Sequence, residues 1–217
     1  MFAVNFEDNN LSSRCSAFLV ADDIVMTNSH CIWVGDISLE ETCKGLYFAF
    51  PTPMGQAETA SCSEILWRDR RQYGRTSYRK GDNDFALVKL DRKMSVKPLT
   101  LKDDIQVEQT VHPVVMDHID SFLARATKLS CKVQSIDKYG VAVLDDCPII
   151  SGNSGSAVLN DNLEVVALVF ASDNIHVRKP TDELAIRSDG GNNDGKAHTV
   201  AHIKKVLGNI LSRSVLE

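Results

Sequence analysis

The stretch Ile150-Ser151-Gly152-Asn153-Ser154-Gly155-Ser156 lies between an apolar segment that ends in Cys147-Pro148-Ile149 and another that begins with Ala157-Val158-Leu159. A Gly-x-Ser-Gly turn bends tightly because glycine has no Cβ, and it can expose a serine hydroxyl beside inward-pointing backbone N–H groups. A nucleophile beside an oxyanion hole needs that arrangement. Ordinary surface turns also use glycine, asparagine and serine, so this stretch alone favours a surface turn over a catalytic loop.

The composition is that of an ordinary globular protein. The chain has 217 residues, of which 43% are hydrophobic and 24% charged, and its formal net charge is -5. This length can bury a core in one large all-β domain or in two small ones. The longest apolar run is far shorter than the ~20 residues that span a bilayer. Residues 1–14 lack the basic and apolar regions of a signal peptide, so either one has been removed or none existed.

Six cysteines without a C-x-x-C pair indicate disulfides in an oxidising compartment. They are Cys15, Cys31, Cys43, Cys62, Cys131 and Cys147. Sequence alone leaves the connectivity open, but sequential pairing is favoured because each bond then closes a short loop between neighbouring strands. A disulfide that closes a loop of this size raises the free energy of unfolding by about 3 kcal/mol. Six buried free thiols in a reducing compartment are the alternative.

Short apolar runs separated by turn signals predict an all-β fold. Residues 16–20 and 24–27 flank Asp22-Asp23 and are predicted to form a hairpin. Further strands are predicted at residues 46–50, 64–67, 85–90, 111–116, 131–136, 141–144, 156–159 and 165–170. Many short strands with few helix-period segments favour antiparallel barrels or a sandwich.

One helix is predicted near the end of the chain, at about residues 199–212. Apolar side chains recur there at three- and four-residue steps, at Val200, Ile203, Val206, Leu207, Ile210 and Leu211. Residues 188–195 contain no apolar side chain and are predicted to form an exposed loop. No repeat of fixed period occurs, and no linker is long enough to separate two independent domains.

Two segments offer the partners that a serine nucleophile needs, a base and a buried carboxylate that orients the base. His30 lies in Thr27-Asn28-Ser29-His30-Cys31, directly after the strand predicted at residues 24–27. Asp84 leads into the strand predicted at residues 85–90. Taken alone, His30 is better explained as a core histidine that bonds to the backbone, and Asp84 as a turn cap before a strand.

Together, the segments around His30, Asp84 and Ser154 resemble the three signature segments of trypsin-like (chymotrypsin-fold) serine proteases. Asp84 follows His30 by 54 residues and Ser154 follows Asp84 by 70, separations that suit that family. The wording Thr-Asn-x-His and Gly-Asn-Ser-Gly is similar to the bacterial branch that includes the glutamyl endopeptidases. Three segments in the correct order are much harder to meet by chance than one.

The resemblance implies two packed antiparallel six-stranded β-barrels with a C-terminal helix. Residues 1–100 would form the barrel that carries His30 and Asp84, and residues 101–217 the barrel that carries Ser154, followed by the helix. Ser154 would be the nucleophile, His30 the general base and Asp84 the orienting carboxylate. The backbone N–H groups of Gly152 and Ser154 would form the oxyanion hole. The implied chemistry uses no cofactor and no metal.

One departure from trypsin concerns activation. Trypsin has an aspartate before its nucleophile, which pairs with a newly cut N-terminus, whereas this chain has the uncharged Asn153. Activation by an N-terminal ion pair is therefore not expected.

A second departure concerns the primary specificity pocket. Its expected lining is Pro148, Ile149, Ile150, Val169 and Phe170, with His198 on the wall. No carboxylate lies at the pocket base, and Val169 occupies the place that glutamyl endopeptidases fill with histidine. Because an unpaired buried charge is unfavourable, a small or apolar primary residue is predicted rather than arginine, lysine or glutamate.

Other binding chemistries are less favoured. The basic stretch at residues 68–80 has the composition of a nucleic-acid site, but the net charge of -5 favours a solvated loop. His198 and His202 are four residues apart, as zinc ligands on one face of the terminal helix are, but no His-Glu-x-x-His pattern accompanies them. The acidic residues at 189–194 miss the spacing of an EF-hand loop.

The sequence therefore predicts a secreted or periplasmic serine endopeptidase, a monomer that acts on protein or peptide substrates. The active site is expected in the cleft between the barrels, because its residues come from both halves. The rival interpretation is a protease-like scaffold that binds a partner without cleaving it. Crowding of the pocket by Ile149, Ile150 and Phe170 favours that rival.

Overall fold

The structure is a computed structural model. It describes residues 2–6, 15–32, 38–51, 57–69, 81–117, 125–150, 152–172, 194–208 and 210–211. These ranges contain thirteen strands and two α-helices. The predicted class, mostly β with a C-terminal helix, is confirmed.

Six antiparallel strands close the first barrel, in the order β1-β2-β3-β6-β5-β4. They are β1 (Phe2–Phe6), β2 (Cys15–Ala21), β3 (Ile24–Thr27), β4 (Leu46–Pro51), β5 (Ala57–Arg68) and β6 (Ala86–Leu90). Strands β2 and β3 form the predicted hairpin around Asp22-Asp23. Side chains alternate across a strand, so one set fills the barrel, including Leu19, Val25 and Phe48.

The second half is a seven-stranded sheet in the order β11-β12-β13-β10-β9-β7-β8. Its strands are β7 (Thr110–Asp117), β8 (Arg125–Lys128), β9 (Cys131–Ile136), β10 (Val141–Asp145), β11 (Ala157–Leu159), β12 (Val165–Ser172) and β13 (Gly195–Thr199). Strand β11 also pairs with β7, so the six strands from β11 to β7 in this order form a closed ring of pairings. Strand β8 extends this sheet by pairing with β7. The sequence did not predict β1, β8 or β13.

The two helices differ in how the sequence signals them. Helix α1 (Leu39–Lys44) starts with a capping box between Ser38 and Glu41. Helix α2 (Val200–Leu207) starts after Thr199, whose hydroxyl accepts the His202 N–H at 3.3 Å, and it lies within the predicted helix. In the part of the chain that the structure describes, no helix is long and apolar enough to cross a membrane.

The predicted exposed loop at residues 188–195 is wrong at its end. Asp194 and Gly195 are buried, and Gly195 begins β13. A Cβ on Gly195 would lie 2.8 Å from Ile149 Cγ1, so this glycine allows the strand to pack closely. Residues 188–193 lie outside the described ranges.

One apolar cluster joins both halves to α2. Phe18 and Phe85 enter it from the first half, Leu168 from the second and Ile203 from the helix, and each is at most 1% exposed. Burying a large apolar side chain stabilises a fold by about 1.5–3 kcal/mol. This cluster therefore holds the halves against each other, while a division of the chain near residue 100 stays a prediction.

Three disulfides join the six cysteines in the favoured sequential order. The bond between Cys15 and Cys31 connects β2 to the turn that follows β3. The other two bonds join Cys43 to Cys62 and Cys131 to Cys147.

Candidate active site

His30 and Asp84 lie in direct contact on the first half of the molecule. His30 is in the 3-10 turn Ser29–Ile32 after β3, and Asp84 precedes β6. The distance from His30 Nδ1 to Asp84 Oδ2 is 2.6 Å, and the His30 backbone N–H donates to Asp84 Oδ1 at 3.0 Å. Asp84 is buried, while the His30 side chain is 34% exposed. This contact fixes the imidazole ring and leaves Nε2 as the nitrogen that can accept a proton.

The two residues before His30 hold the same segment. Asn28 Nδ2 donates to the Asp84 carbonyl oxygen at 2.5 Å, and Ser29 Oγ donates to the Phe85 carbonyl oxygen at 2.5 Å. Both side chains are buried. Three consecutive residues thus bind the segment directly before β6, which explains why this run of polar residues follows an apolar strand.

The opposite side of the Asp84 segment is held by the second half and the terminal helix. The Asp84 N–H donates to His198 Nε2 at 3.1 Å, and His198 lies in β13. On α2, His202 Nε2 lies 2.7 Å from Asn83 Oδ1. The Asn83 N–H donates to Asp69 Oδ2 at 2.9 Å. The segment is therefore fixed by side chains from several separate parts of the fold.

The turn before Ser154 is closed by two reciprocal hydrogen bonds. The Asn153 N–H donates to the Ile150 carbonyl oxygen, and the Ile150 N–H donates to Asn153 Oδ1, each at 3.0 Å. Gly152 has a φ of 96°, which glycine adopts without a Cβ penalty. Asn153 is fully buried. The side chain before the serine therefore stabilises the turn from within.

Strand β2 of the first barrel holds this turn through hydrogen bonds. The Ser16 N–H donates to the Ser154 carbonyl oxygen at 2.6 Å, and Ser16 Oγ donates to the Gly152 carbonyl oxygen at 3.1 Å. Thr27 Oγ1 in turn donates to the Ser16 carbonyl oxygen at 2.8 Å. Ser16 thus connects the Ser154 turn to the strand that leads to His30. A polar residue inside an apolar strand is the one sign of this role in the sequence.

Ser154 and His30 are not joined by a hydrogen bond within the described residues. Ser154 is half-buried, and His30 Nε2 lies 3.6 Å from Cys31 Sγ. Catalytic hydrogen bonds are often long without substrate and tighten when substrate binds. The structure thus brings His30 and Asp84 together and docks the Ser154 turn on the same barrel.

The expected pocket residues are largely buried. Ile149, Val169 and Phe170 are at most 3% exposed, while Pro148 and Ile150 are half-buried. Ile149 and Val169 belong to the core of the second sheet. The fully buried His198 stacks on the Phe170 ring at 4.3 Å. The role of these side chains in substrate binding stays a prediction.

Two clusters carry the donor atoms that metals prefer, but other bonds engage those atoms. The ligand atoms of Cys15, His30 and Cys31 lie within 4.8 Å of one another, yet the two sulfur atoms form a disulfide. The rings of His198 and His202 stack at 5.8 Å, and each Nε2 is used in the contacts described above. His198 lies on β13 rather than on the helix. Residues 70–80 and 189–193, the other candidate binding stretches, lie outside the described ranges.

Residues 15–168 match the family model described as a trypsin-like peptidase domain. Among solved structures, a serine endoprotease from Yersinia pestis has 14% identity and a TM-score of 0.65, over 97% of this chain and 62% of that chain. A Glu endopeptidase has 18% identity and a TM-score of 0.63, over 100% and 90%. An inactivated protease paralogue of the scabies mite has 15% identity and a TM-score of 0.62, over 98% and 94%. These identities show a shared fold alone, and no curated protein sequence matches.

Proposed function

We infer that this chain, which belongs to the family of trypsin-like peptidase domains, is a serine endopeptidase that forms an acyl-enzyme on Ser154. The observation that carries the proposal is the contact between His30 and Asp84, in which Nδ1 lies 2.6 Å from a buried carboxylate. An acceptor-only carboxylate at Nδ1 keeps the proton on that nitrogen. Nε2 is then the basic nitrogen that a hydroxyl nucleophile requires.

The proposed reaction uses the three residues in sequence. Ser154 Oγ attacks the peptide carbonyl carbon while His30 Nε2 takes the hydroxyl proton, and Asp84 stabilises the imidazolium that forms. The N–H groups of Gly152 and Ser154 stabilise the oxyanion. His30 then gives the proton to the leaving amine, and water hydrolyses the acyl-enzyme with His30 again as the base.

The hydrogen bonds that hold the Ser154 turn support this assignment. Ser16 from the first barrel donates two hydrogen bonds to carbonyl groups of the turn, at 2.6 and 3.1 Å. Asn153 closes the turn through its own side chain and backbone. These contacts involve no chain terminus, so we expect activity without the N-terminal ion pair that activates trypsin.

The apolar character of the expected pocket supports a small or apolar primary specificity. None of Pro148, Ile149, Ile150 and Val169 can pair with a charged substrate side chain. Cleavage of a mixed peptide library tests this directly. Selection of small or apolar residues before the cut is expected, and strong selection of arginine, lysine or glutamate would contradict it.

Burst kinetics test the acyl-enzyme. The wild-type chain should release a rapid first equivalent of product from an activated ester substrate and then turn over more slowly. Ser154→Ala should lose both phases while its unfolding transition stays that of the wild type. Retained turnover by the folded Ser154→Ala variant would refute the assignment.

A second candidate function is a binding module that does not cleave. It is favoured by the missing hydrogen bond between Ser154 Oγ and His30 within the described residues, and an inactivated mite paralogue has this fold. Such a module would bind peptides without hydrolysing them. To distinguish the two functions, a peptide that binds the wild-type protein is incubated with it and its mass is then measured by mass spectrometry. Only a peptidase shortens the peptide.

We further propose that the protein is secreted or periplasmic and acts as a monomer on proteins or peptides. The three disulfides support an oxidising location. Nothing in the proposed chemistry requires a cofactor.

A further inference from the structure

We propose that His198 is a positioning residue that holds Asp84 against His30, and that His202 supports the same segment from α2. The proposal rests on the proposed function in one respect: it assumes that turnover needs Asp84 to orient His30. His198 and His202 touch no reacting atom, so neither is a catalytic residue.

His198 fixes the one backbone donor of Asp84. The Asp84 N–H donates to His198 Nε2 at 3.1 Å, while the Asp84 carbonyl oxygen accepts from Asn28 at 2.5 Å. The two carboxylate oxygens face the His30 ring and the His30 N–H. Asp84 is thus held at its backbone on both sides. These backbone bonds fix the Cα from which the carboxylate reaches His30.

The His198 ring is itself held in one orientation. It is fully buried and stacks on Phe170 with a centroid distance of 4.3 Å and an interplanar angle of 23°. Phe85 meets it edge-on at 5.6 Å, and His202 stacks at 5.8 Å. Rings on three sides restrict rotation, so Nε2 stays directed at the Asp84 amide.

The bond to Asp84 requires a neutral His198 ring. An imidazole nitrogen accepts a hydrogen bond only when it carries no proton, so the ring proton is on Nδ1. Burial lowers the pKa of His198 to about 4, and His202 also lowers it, while the charges of Asp84, Asp137 and Asp69 raise it. The ring is therefore neutral near pH 7 and can accept.

His202 supports the neighbouring residue. Its Nε2 lies 2.7 Å from Asn83 Oδ1, and an amide oxygen only accepts, so this nitrogen carries the proton. A Cβ on Gly140 would lie 2.3 Å from His202 Cβ, which shows how closely the turn between β9 and β10 packs on the start of α2. The helix start is thereby fixed relative to the Asp84 segment.

Two substitutions separate the hydrogen bond from ring packing. His198→Phe keeps a ring but removes the acceptor, and His198→Gln keeps an acceptor at nearly the same reach. We expect His198→Phe to lower kcat ~10- to 100-fold with little change in KM, because small displacements of a catalytic group slow chemistry by such factors. His198→Gln should recover most of that loss.

A second buried histidine provides the matched control. His112 on β7 is 8% exposed and contacts the Leu129 carbonyl oxygen and Asp161 Oδ1 at 3.1 and 3.0 Å, two groups that do not belong to the candidate active site described above. His112→Phe should lose stability without a comparable loss of kcat. Equal kcat losses in His112→Phe and His198→Phe would overturn the proposal, because they would reflect a general structural effect.

Proton NMR tests the positioning independently of turnover. In the wild type we expect a downfield resonance for the His30 Nδ1 proton and a hydrogen-bonded shift for the Asp84 amide; both should change in His198→Phe and return in His198→Gln. Active wild type with unchanged kcat in His198→Phe would overturn the inference. An inactive wild type would refute the proposed function but not the positioning role of His198. In that case the NMR spectra decide, and an Asp84 amide shift that is unchanged in His198→Phe would overturn the inference.

Discussion

Gly155 lies so close to Ser16 that a Cβ on Gly155 would be 1.8 Å from the Ser16 carbonyl oxygen. The contact joins the Ser154 turn to β2 of the first barrel. The Gly155 N–H also donates to the Val169 carbonyl oxygen of β12 at 2.8 Å. Strands from both halves therefore contact the turn, and the position of Ser154 depends on how the two halves pack against each other.

Gly155→Ala should displace the turn and abolish turnover. The new Cβ meets backbone that cannot yield, and the φ of 86° is itself unfavourable for alanine, so we expect a loss of about 3 kcal/mol or more in the free energy of unfolding. Gly208→Ala is the matched control, because it has a φ of 47° with no heavy atom within 4 Å. Because its ψ is -121°, the substitution should cost about 1–3 kcal/mol in backbone strain and leave kcat unchanged. Wild-type kcat in Gly155→Ala would contradict this account of the turn.

Ser16→Ala should lower kcat about fivefold at an unchanged KM. The change removes the hydrogen bond from Oγ to the Gly152 carbonyl oxygen, which contributes about 1 kcal/mol. Ser95→Ala removes an exposed hydroxyl that donates to Glu58, and it should leave kcat as it is. Steady-state kinetics of both variants check the prediction, and equal values for the two would refute it.

Asp84→Asn should lower kcat by about 10³- to 10⁴-fold. The amide matches the carboxylate in shape, but it does not stabilise the imidazolium and can hold His30 in the wrong tautomer. Stability should change much less than activity, since the shape of the side chain is kept. A kcat within tenfold of the wild type, measured on a variant with a normal unfolding transition, would argue against the role of Asp84.

Acid should destabilise the wild type partly through His198. Its pKa of about 4 in the folded chain lies below its ordinary value of 6.5, so the unfolded chain binds more protons between these values. Stability from this group is therefore full above pH 6.5 and falls as the pH drops toward 4, by on the order of 1 kcal/mol per pH unit. His198→Gln lacks this dependence. Urea unfolding of both chains at pH 7, 6, 5 and 4 should show a difference that narrows with acid, and a constant difference would refute the prediction.

Two disulfides should contribute similarly to stability but differently to activity. Cys15–Cys31 and Cys43–Cys62 span 16 and 19 residues, so replacing either pair with alanine should cost about 3 kcal/mol. Only the first bond involves the turn that carries His30. We expect kcat to fall when it is removed and to stay within twofold when Cys43–Cys62 is removed, both measured well below the unfolding temperature. The reverse order would contradict the proposed site.

Local patterns predicted much of the fold. The hairpin of β2 and β3 follows from apolar runs around an Asp-Asp turn, and α2 follows from its three- and four-residue spacing. Strand β8 is short and three of its four residues are polar, so it has no apolar alternation to detect. Strand β13 starts with a glycine whose burial depends on packing against Ile149. The capping box at Ser38 and Glu41 was the available sign of α1.

The candidate site likewise has one part that the sequence predicts and another part that it does not. His30, Asp84 and Ser154 each lie in a recognisable local motif, so the sequence indicates all three. The contacts that hold them are long-range: Ser16 meets Gly152 across 136 residues, and His198 meets Asp84 across 114. Each of these two contacts is a single hydrogen bond between the side chain of an ordinary polar residue and the backbone, which leaves no local pattern. Only the packing of the two halves reveals them.

Labelling with a fluorophosphonate probe tests the central claim most directly, because the probe reacts with an activated serine hydroxyl. We predict stoichiometric modification of Ser154 in the native wild type, located by peptide mass spectrometry, and none in Ser154→Ala or after unfolding. Labelling should also fall sharply in His30→Ala, which keeps the hydroxyl but removes its base. A native, folded wild type that the probe leaves unmodified would contradict the proposal that this chain is a serine endopeptidase.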